Sequence, residues 1–373
     1  MKWQGIKVQQ KFTHGGNIYE IQRQKDKKEH LFDFSANINP LGLNAKVREA
    51  IEENIAGIIH YPDPEGIELR EALSYFYGID KDRIVLGNGA AELLYVLFQT
   101  MRPRKILIPI PSFGEYERAA RAAKAEIVYH RLPATQSFSL QIDTICDLLE
   151  GVDCLVLGNP NNPTGNLLTI EEIKRIAERA KKQNCLVVVD ESFMDFVEQK
   201  ERYSCASMLS VYNNLFLLQS LTKIHAIPGL RLGFAATTSA LANKLDLAKD
   251  PWNVNFLAQK AGVAALQQTD YLKKSMAYIV EQKHHLYTNL KKIEGLAVYE
   301  PTVNFILLDL KETGFSAAAF RRAMLEKNIL IRDCSNYPGL DEYHVRIAVK
   351  TKEDNDFLLC AIRGILEGNT SYD

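Results

Sequence analysis

A chain of 373 residues, 46% hydrophobic and 24% charged, is long enough for two domains or one large α/β unit, and its composition excludes extensive disorder. Its 45 lysines and arginines against 46 aspartates and glutamates leave a net charge of -1, so no basic field exists to hold nucleic acid or an anionic membrane non-specifically. Small anions must then be bound by local arrangements of donors.

The N-terminal run MKWQGIKVQQKF has no apolar stretch of signal-peptide length, and no segment approaches membrane-spanning length; a cytoplasmic location is expected. The first forty-odd residues lack strong periodicity and hold two turn-rich pieces, His14-Gly-Gly-Asn17 and Asn37-Ile-Asn-Pro-Leu-Gly42. Short Val/Ile/Leu runs then predict seven strands, at Ile84–Leu86, Lys105–Ile110, Glu126–Leu132, Asp153–Gly158, Leu186–Asp190, Leu215–Gln219 and Leu232–Ala236. The runs are mostly unbroken by polar residues, which suits strands covered on both faces. Amphipathic helices fall between several of them, among them Thr169–Gln183, which opens on the capping box Thr169…Glu172. This alternation predicts an α/β fold with a mainly parallel, helix-flanked sheet and ligands at the carboxyl ends of its strands.

A second region begins near Asp250-Pro251, with a helical pattern over Leu272–Ile293, then Phe305–Leu310, Ser316–Lys327, Ile329–Arg332 and Val345–Val349. It reads as a smaller α+β domain. The expected division is an N-terminal segment 1–45 that joins the small domain, a large domain 46–250 and a small C-terminal domain 251–373. The six cysteines are scattered without a CxxC pair and read as free thiols in a reducing compartment. The eight histidines form no metal-ligand spacing, and no metal is expected.

Five pieces carry chemistry. Ser220-Leu-Thr-Lys223 places a lysine just past a buried strand, where desolvation lowers its pKa and suits it to Schiff-base work, with Ser220 and Arg231 fit to hold a phosphate. Read singly, Lys223 is better taken as a surface lysine in a Gly/Pro turn. Asp190 closes the run Leu186-Val-Val-Val, where a carboxylate is costly unless it meets a cation such as a protonated pyridine nitrogen; a helix N-cap is the alternative. Asn159-Pro-Asn-Asn162-Pro-Thr-Gly165 makes a rigid turn from which an amide such as Asn162 could bond a phenolic oxygen. Gly87-Asn-Gly89-Ala90-Ala91 opens a helix and offers free N–H groups to a phosphate. Phe113, after the strand Lys105–Ile110, could stack on a flat ring or simply fill the core.

Together, and in this order, these motifs resemble the fold-type I aminotransferase superfamily over essentially the whole chain. The resemblance implies pyridoxal 5'-phosphate as cofactor, with Lys223 as its Schiff-base lysine, Asp190 on the pyridinium nitrogen and Asn162 on the phenolic oxygen. It implies phosphate contacts from Gly89, Ala90, Ala91, Ser220, Thr222 and Arg231, and Phe113 stacked on the ring. Tyr61 matches the tyrosine that reaches the neighbouring subunit's cofactor phosphate, which implies a homodimer. Arg346, in Val345-Arg-Ile-Ala-Val349, matches the arginine for the substrate carboxylate, and strand alternation allows it to face a cleft.

The segments Asp33–Gly42, His14-Gly-Gly-Asn17 and Arg332–Gly339 are more similar to the threonine-phosphate decarboxylases of cobalamin biosynthesis than to histidinol-phosphate aminotransferases. That resemblance implies decarboxylation of O-phospho-L-threonine to (R)-1-aminopropan-2-yl phosphate, with His14, Asn37 and Arg332 among the substrate contacts. Where aminotransferases usually carry a tyrosine three residues after the aspartate, this chain has Phe193. The alternative activity is a histidinol-phosphate or related aminotransferase. A non-enzymatic sensor of the same fold would need a DNA-binding domain and a basic surface, and the sequence offers neither.

Overall fold

The computed structural model describes residues 14–23 and 30–368. The described residues form thirteen strands, β1 to β13 in chain order. They are β1 Phe32–Asp33, β2 Ile84–Gly87, β3 Lys105–Ile110, β4 Glu126–Arg131, β5 Cys154–Gly158, β6 Leu186–Asp190, β7 Leu215–Ser220, β8 Gly233–Ala236, β9 Ala297–Val298, β10 Phe305–Asp309, β11 Ile329–Leu330, β12 Arg332–Asp333 and β13 His344–Ala348.

The large sheet has seven strands in the order β2-β8-β7-β6-β5-β3-β4. β8 runs against both neighbours, while β4, β3, β5, β6 and β7 pair in parallel. The period of two divides the buried strand residues between two cores. Leu107, Leu155, Val187, Val189 and Leu217 face one side, packed by Ile173, Ile176 and Ala177 of the helix Ile170–Lys182. Ile106, Ile108, Val156, Val188 and Phe216 face the other, packed by Leu93, Leu94 and Leu97 of the helix Ala90–Met101. Thr169 caps its helix with the reciprocal bonds of the capping box.

The expectation of strands covered on both faces fails at β4. This edge strand alternates exposed and half-buried residues, with Glu126, Tyr129 and Arg131 in solvent. Its charged side chains blunt an edge that would otherwise invite pairing. β2, at the opposite edge, is buried throughout.

The C-terminal region builds an antiparallel sheet in the order β12-β13-β10-β9, and β1 pairs in parallel with β11. Leu286, Leu290, Ile306, Leu308, Val345 and Ile347 form its core, which Phe34 of the N-terminal segment joins. The helix Phe256–Leu266 packs instead on the helices Ala45–Asn54 and Ile67–Tyr77, through residues such as Val47, Ala261 and Ala265. All six cysteines are free. Among the described residues no helix is long and apolar enough to cross a membrane.

Candidate active site

The carboxyl ends of β2, β3, β5, β6 and β7 deliver their following turns to one cleft of about 540 Å³, a volume in the range of small-molecule sites. It is lined by Lys223, Asp190, Asn162, Phe113, Ala90, Ala91, Ser220, Thr222 and Arg231 from the large sheet's side, and by Arg346 from the C-terminal region. His14 and Asn37 reach it from the N-terminal segment.

Lys223 follows β7 by three residues, and its Nζ lies 4.7 Å from the centre of the Phe193 ring. Burial pulls its pKa down to about 8; Asp190 opposes that shift, and Arg231 and Arg346 add to it. Asp190 ends β6 and is 7% exposed. Its Oδ2 accepts from the Tyr116 hydroxyl at 2.8 Å and its Oδ1 from the Ser192 N–H at 2.9 Å, so both oxygens are fixed before any ligand arrives. Burial and the Asp190 charge push the Tyr116 phenol well above its usual range, which keeps it a proton donor to the carboxylate. Tyr116 was legible only as an aromatic beside Phe113; no local pattern marks its bond to a residue 74 positions away.

Asn162 uses its amide oxygen to accept from an Arg346 guanidinium nitrogen and, at 3.5 Å, from the Tyr337 hydroxyl. Its amide nitrogen is therefore the group left for a ligand in the cleft. Arg346, 4% exposed, also donates to the Ser35 carbonyl at 3.1 Å, and its Nε is buried without a partner among the described residues. The Asn37 Oδ1 is likewise buried and unpartnered. Such atoms cost stability unless a ligand meets them.

The phosphate end is equally well supplied. Ala90 and Ala91 open a helix whose first N–H groups lack intrahelical partners. Ser220 Oγ and Thr222 Oγ1 lie 2.7 Å apart, both buried. Arg231 stands in the left-handed region, at φ 57°. A Cβ at Gly89 would collide with its guanidinium, so glycine there admits the arginine to the turn. Gly89 itself is behind the lining, at φ 82°. A phosphorylated pyridine aldehyde fits these residues. Its phosphate would meet the Ala90–Ala91 N–H groups, Ser220, Thr222 and Arg231, its ring nitrogen Asp190, its phenolic oxygen Asn162, and its ring face Phe113.

Tyr61 does not line this chain's cleft. It is 78% exposed and stacks on Trp252 at 4.6 Å.

Arg332 lines an adjoining cavity of about 270 Å³, joined to the cleft through His14, Gly15 and Ser35, which border both. Arg332 and Arg346 are direct partners across β12 and β13, on one face of the sheet. Two like charges so placed repel, and both are buried. Arg332 donates to the Asp333 carbonyl and to Asn336 Oδ1 at 2.8 Å, yet its Nε is buried without a partner among the described residues. Arg321 borders the same cavity, a cation that no sequence motif marked.

His14 is already engaged. Its Nε2 lies 2.7 Å from Glu115 Oε1, which also accepts from Arg118 at 2.7 Å, while Oε2 accepts from the Tyr95 hydroxyl at 2.8 Å. Burial alone would raise the Glu115 pKa, but the bonds from His14 and Tyr95 and the charges of His14 and Arg118 hold it at about 2. A carboxyl depressed from 4.5 to about 2 adds stability that is complete above pH 4.5 and fades as the pH falls toward 2. Glu115→Gln should therefore lose about 2–3 kcal/mol in urea unfolding at pH 7 and clearly less at pH 3.5. An equal loss at both pH values would reject this ion cluster as the cause.

A family model described as aminotransferase class I and II matches residues 29–362. The chain is 35% identical to the threonine-phosphate decarboxylase of Salmonella typhimurium, over 97% of this chain and 98% of that protein. Among solved structures it is similar to the histidinol-phosphate aminotransferase of Clostridium acetobutylicum, with TM-score 0.85 and 31% identity, covering 91% of this chain and 100% of that one. It is also similar to the L-threonine-O-3-phosphate decarboxylase of Porphyromonas gingivalis, with TM-score 0.79 and 30% identity, covering 90% and 99%.

Proposed function

The chain belongs to the aminotransferase class I and II family, whose cofactor is pyridoxal 5'-phosphate, and on that premise we propose that it decarboxylates O-phospho-L-threonine to (R)-1-aminopropan-2-yl phosphate in cobalamin biosynthesis. The observation that carries this reading is the pair of buried arginines opposed across β12 and β13, each with an Nε that finds no partner among the described residues. O-phospho-threonine brings a carboxylate and a phosphate on one molecule, whereas histidinol phosphate brings only the phosphate.

Bound cofactor supplies a protonated ring that accepts the electrons released when a bond at the substrate's α-carbon breaks. The chain's own groups decide which bond that is, because only the bond perpendicular to the ring is activated. Arg346 anchors the carboxylate, Arg332 and His14 anchor the phosphate, and together they set the rotation about the α-carbon. Asp190, held by Tyr116 and Ser192, keeps a negative charge at the ring nitrogen. Asn162 donates at the phenolic oxygen, where Phe193 brings no hydroxyl. With a pKa of about 8, Lys223 Nζ can hold or release a proton near neutral pH, and it is the group placed to return one to the α-carbon.

The enzyme with bound cofactor should consume O-phospho-L-threonine without any 2-oxo acid. Turnover of histidinol phosphate with 2-oxoglutarate, and none of O-phospho-threonine, would instead favour the aminotransferase, a reading supported by the likeness to the Clostridium protein.

Arg332→Ala should lose about 1.5–3 kcal/mol, a tenfold to hundredfold drop in kcat/KM for O-phospho-threonine. His14→Ala should lose as much or less, since Glu115 already holds its ring. The visible cofactor band should be unchanged in both. Wild-type kinetics in both variants would place the phosphate elsewhere.

The functional unit is a cytoplasmic homodimer in this reading, with Tyr61 serving the neighbouring site; its exposure on Trp252, away from its own cleft, supports that role. Mixing inactive Tyr61→Ala and Lys223→Ala chains should restore part of the activity, because one hybrid site carries both native residues. A fully active monomer in sedimentation would reject the shared site. Each subunit divides into a large and a small domain. The large domain spans 46–250 and the small one 251–373, with the helix Phe256–Leu266 packed across on the helices Ala45–Asn54 and Ile67–Tyr77.

A further inference from the structure

β2 is an edge strand, so the carbonyls on its outer side have no neighbouring strand to bond. Side chains take that place. Arg70 donates to the Ile84 carbonyl, and Lys249 Nζ and Asn253 Nδ2 donate to the Leu86 carbonyl at 2.9 and 3.2 Å. Asn253 reaches one step further. Its Nδ2 also donates to Glu92 Oε2 at 2.7 Å, and that same oxygen accepts from the Asn88 backbone N–H at 2.7 Å. Asn253 Oδ1 in turn accepts from Lys249 at 3.2 Å, and Lys249, 4% exposed at its side chain, is paired with Asp246 at 3.2 Å.

One amide thus ties the last carbonyl before the Gly87–Gly89 turn to the carboxylate that holds the middle of that turn. The turn carries the N–H groups of Ala90 and Ala91 to the cofactor's phosphate. Glycine at 87 and 89 leaves this backbone without stiffness of its own, and Gly89 is at φ 82°. The Gly89 N–H closes the turn on the Gly87 carbonyl at 2.8 Å, and the bonds from Asn253 and Glu92 add support from outside. Asn253 touches no part of the cleft.

We propose that Asn253 is a positioning residue for the cofactor phosphate, fixing the Asn88-Gly89 turn through Glu92. The inference rests on the cofactor reading above and adds to it a residue, remote in sequence, that sets phosphate affinity. Without this tie the turn samples conformations in which the Ala90 and Ala91 N–H groups no longer converge, and binding must order them again.

The test compares two ligands on the full-length protein resolved of cofactor. Pyridoxal 5'-phosphate and pyridoxal, which lacks the phosphate, are titrated into wild type, Asn253→Ala and Asn253→Asp. Both variants should weaken pyridoxal 5'-phosphate binding about tenfold or more, the loss of a charge-assisted hydrogen bond. Pyridoxal binding should stay within about twofold, which a general loosening of the fold would not allow. Should Asn253→Ala not fold, Glu92→Ala removes the same tie from the helix side and is held to the same criterion. Equal losses for the two ligands, or no loss for either, would overturn the proposal while wild-type binding of pyridoxal 5'-phosphate leaves the cofactor reading intact. A wild-type chain that binds neither would overturn both.

Discussion

Replacing Lys223 by alanine is expected to lower kcat/KM on the order of ten-thousandfold or more, since in the proposed reading Lys223 is both the covalent tether of the cofactor and the proton donor at the α-carbon. The tether is read separately. Borohydride treatment of the wild type should fix the cofactor to Lys223 as a mass increase on one peptide, and the variant should show none. The physical basis is the place of the amine at the end of β7, where burial brings its pKa to about 8 and makes the neutral nucleophile accessible near neutral pH. A variant that keeps a borohydride-fixed cofactor and wild-type turnover would remove Lys223 from its assigned role.

The second large effect belongs to Asp190. Its carboxylate is buried and fixed by Tyr116 and Ser192, and in the proposed reading it pairs with the cofactor's cationic ring nitrogen. Asp190→Asn keeps the shape and removes the charge, and leaving a buried cation unpaired costs about 3–5 kcal/mol, roughly a hundredfold to several-thousandfold in kcat/KM. Tyr116→Phe removes one hydrogen bond from the same carboxylate and should lose only about 1 kcal/mol. The ordering of the two is the discriminating result. If Tyr116→Phe were as damaging as Asp190→Asn, the aspartate would be acting through the tyrosine and not on the ring.

Much of this site was legible because its parts sit at strand ends, and strands announce themselves locally. β3 and β6 fall on the residues expected from their apolar runs, β6 ending on Asp190, and β5, one residue shorter than expected, leads into the 159–165 turn. The capping box at Thr169 is visible for the same reason, as both partners lie within one turn. What the sequence hid is long-range. His14 meets Glu115 across 101 positions, and Arg332 faces Arg346 only because a connection of some ten residues folds β13 back on β12. No periodicity encodes either contact. The same limit applies to β4, whose six-residue run resembles the buried strands while its edge position leaves half of it in solvent. It applies again to the helix Phe256–Leu266, whose packing on the helices Ala45–Asn54 and Ile67–Tyr77 no local pattern announces.

The most direct measurement follows the carboxyl carbon. O-phospho-L-threonine labelled at that carbon is incubated with the enzyme carrying its cofactor, and released carbon dioxide and amine are both quantified. One labelled carbon dioxide per aminopropyl phosphate, over many turnovers and without a 2-oxo acid acceptor, is the predicted result. Label retained in a 2-oxo acid, with the cofactor left in its amine form after a single turnover, would contradict it.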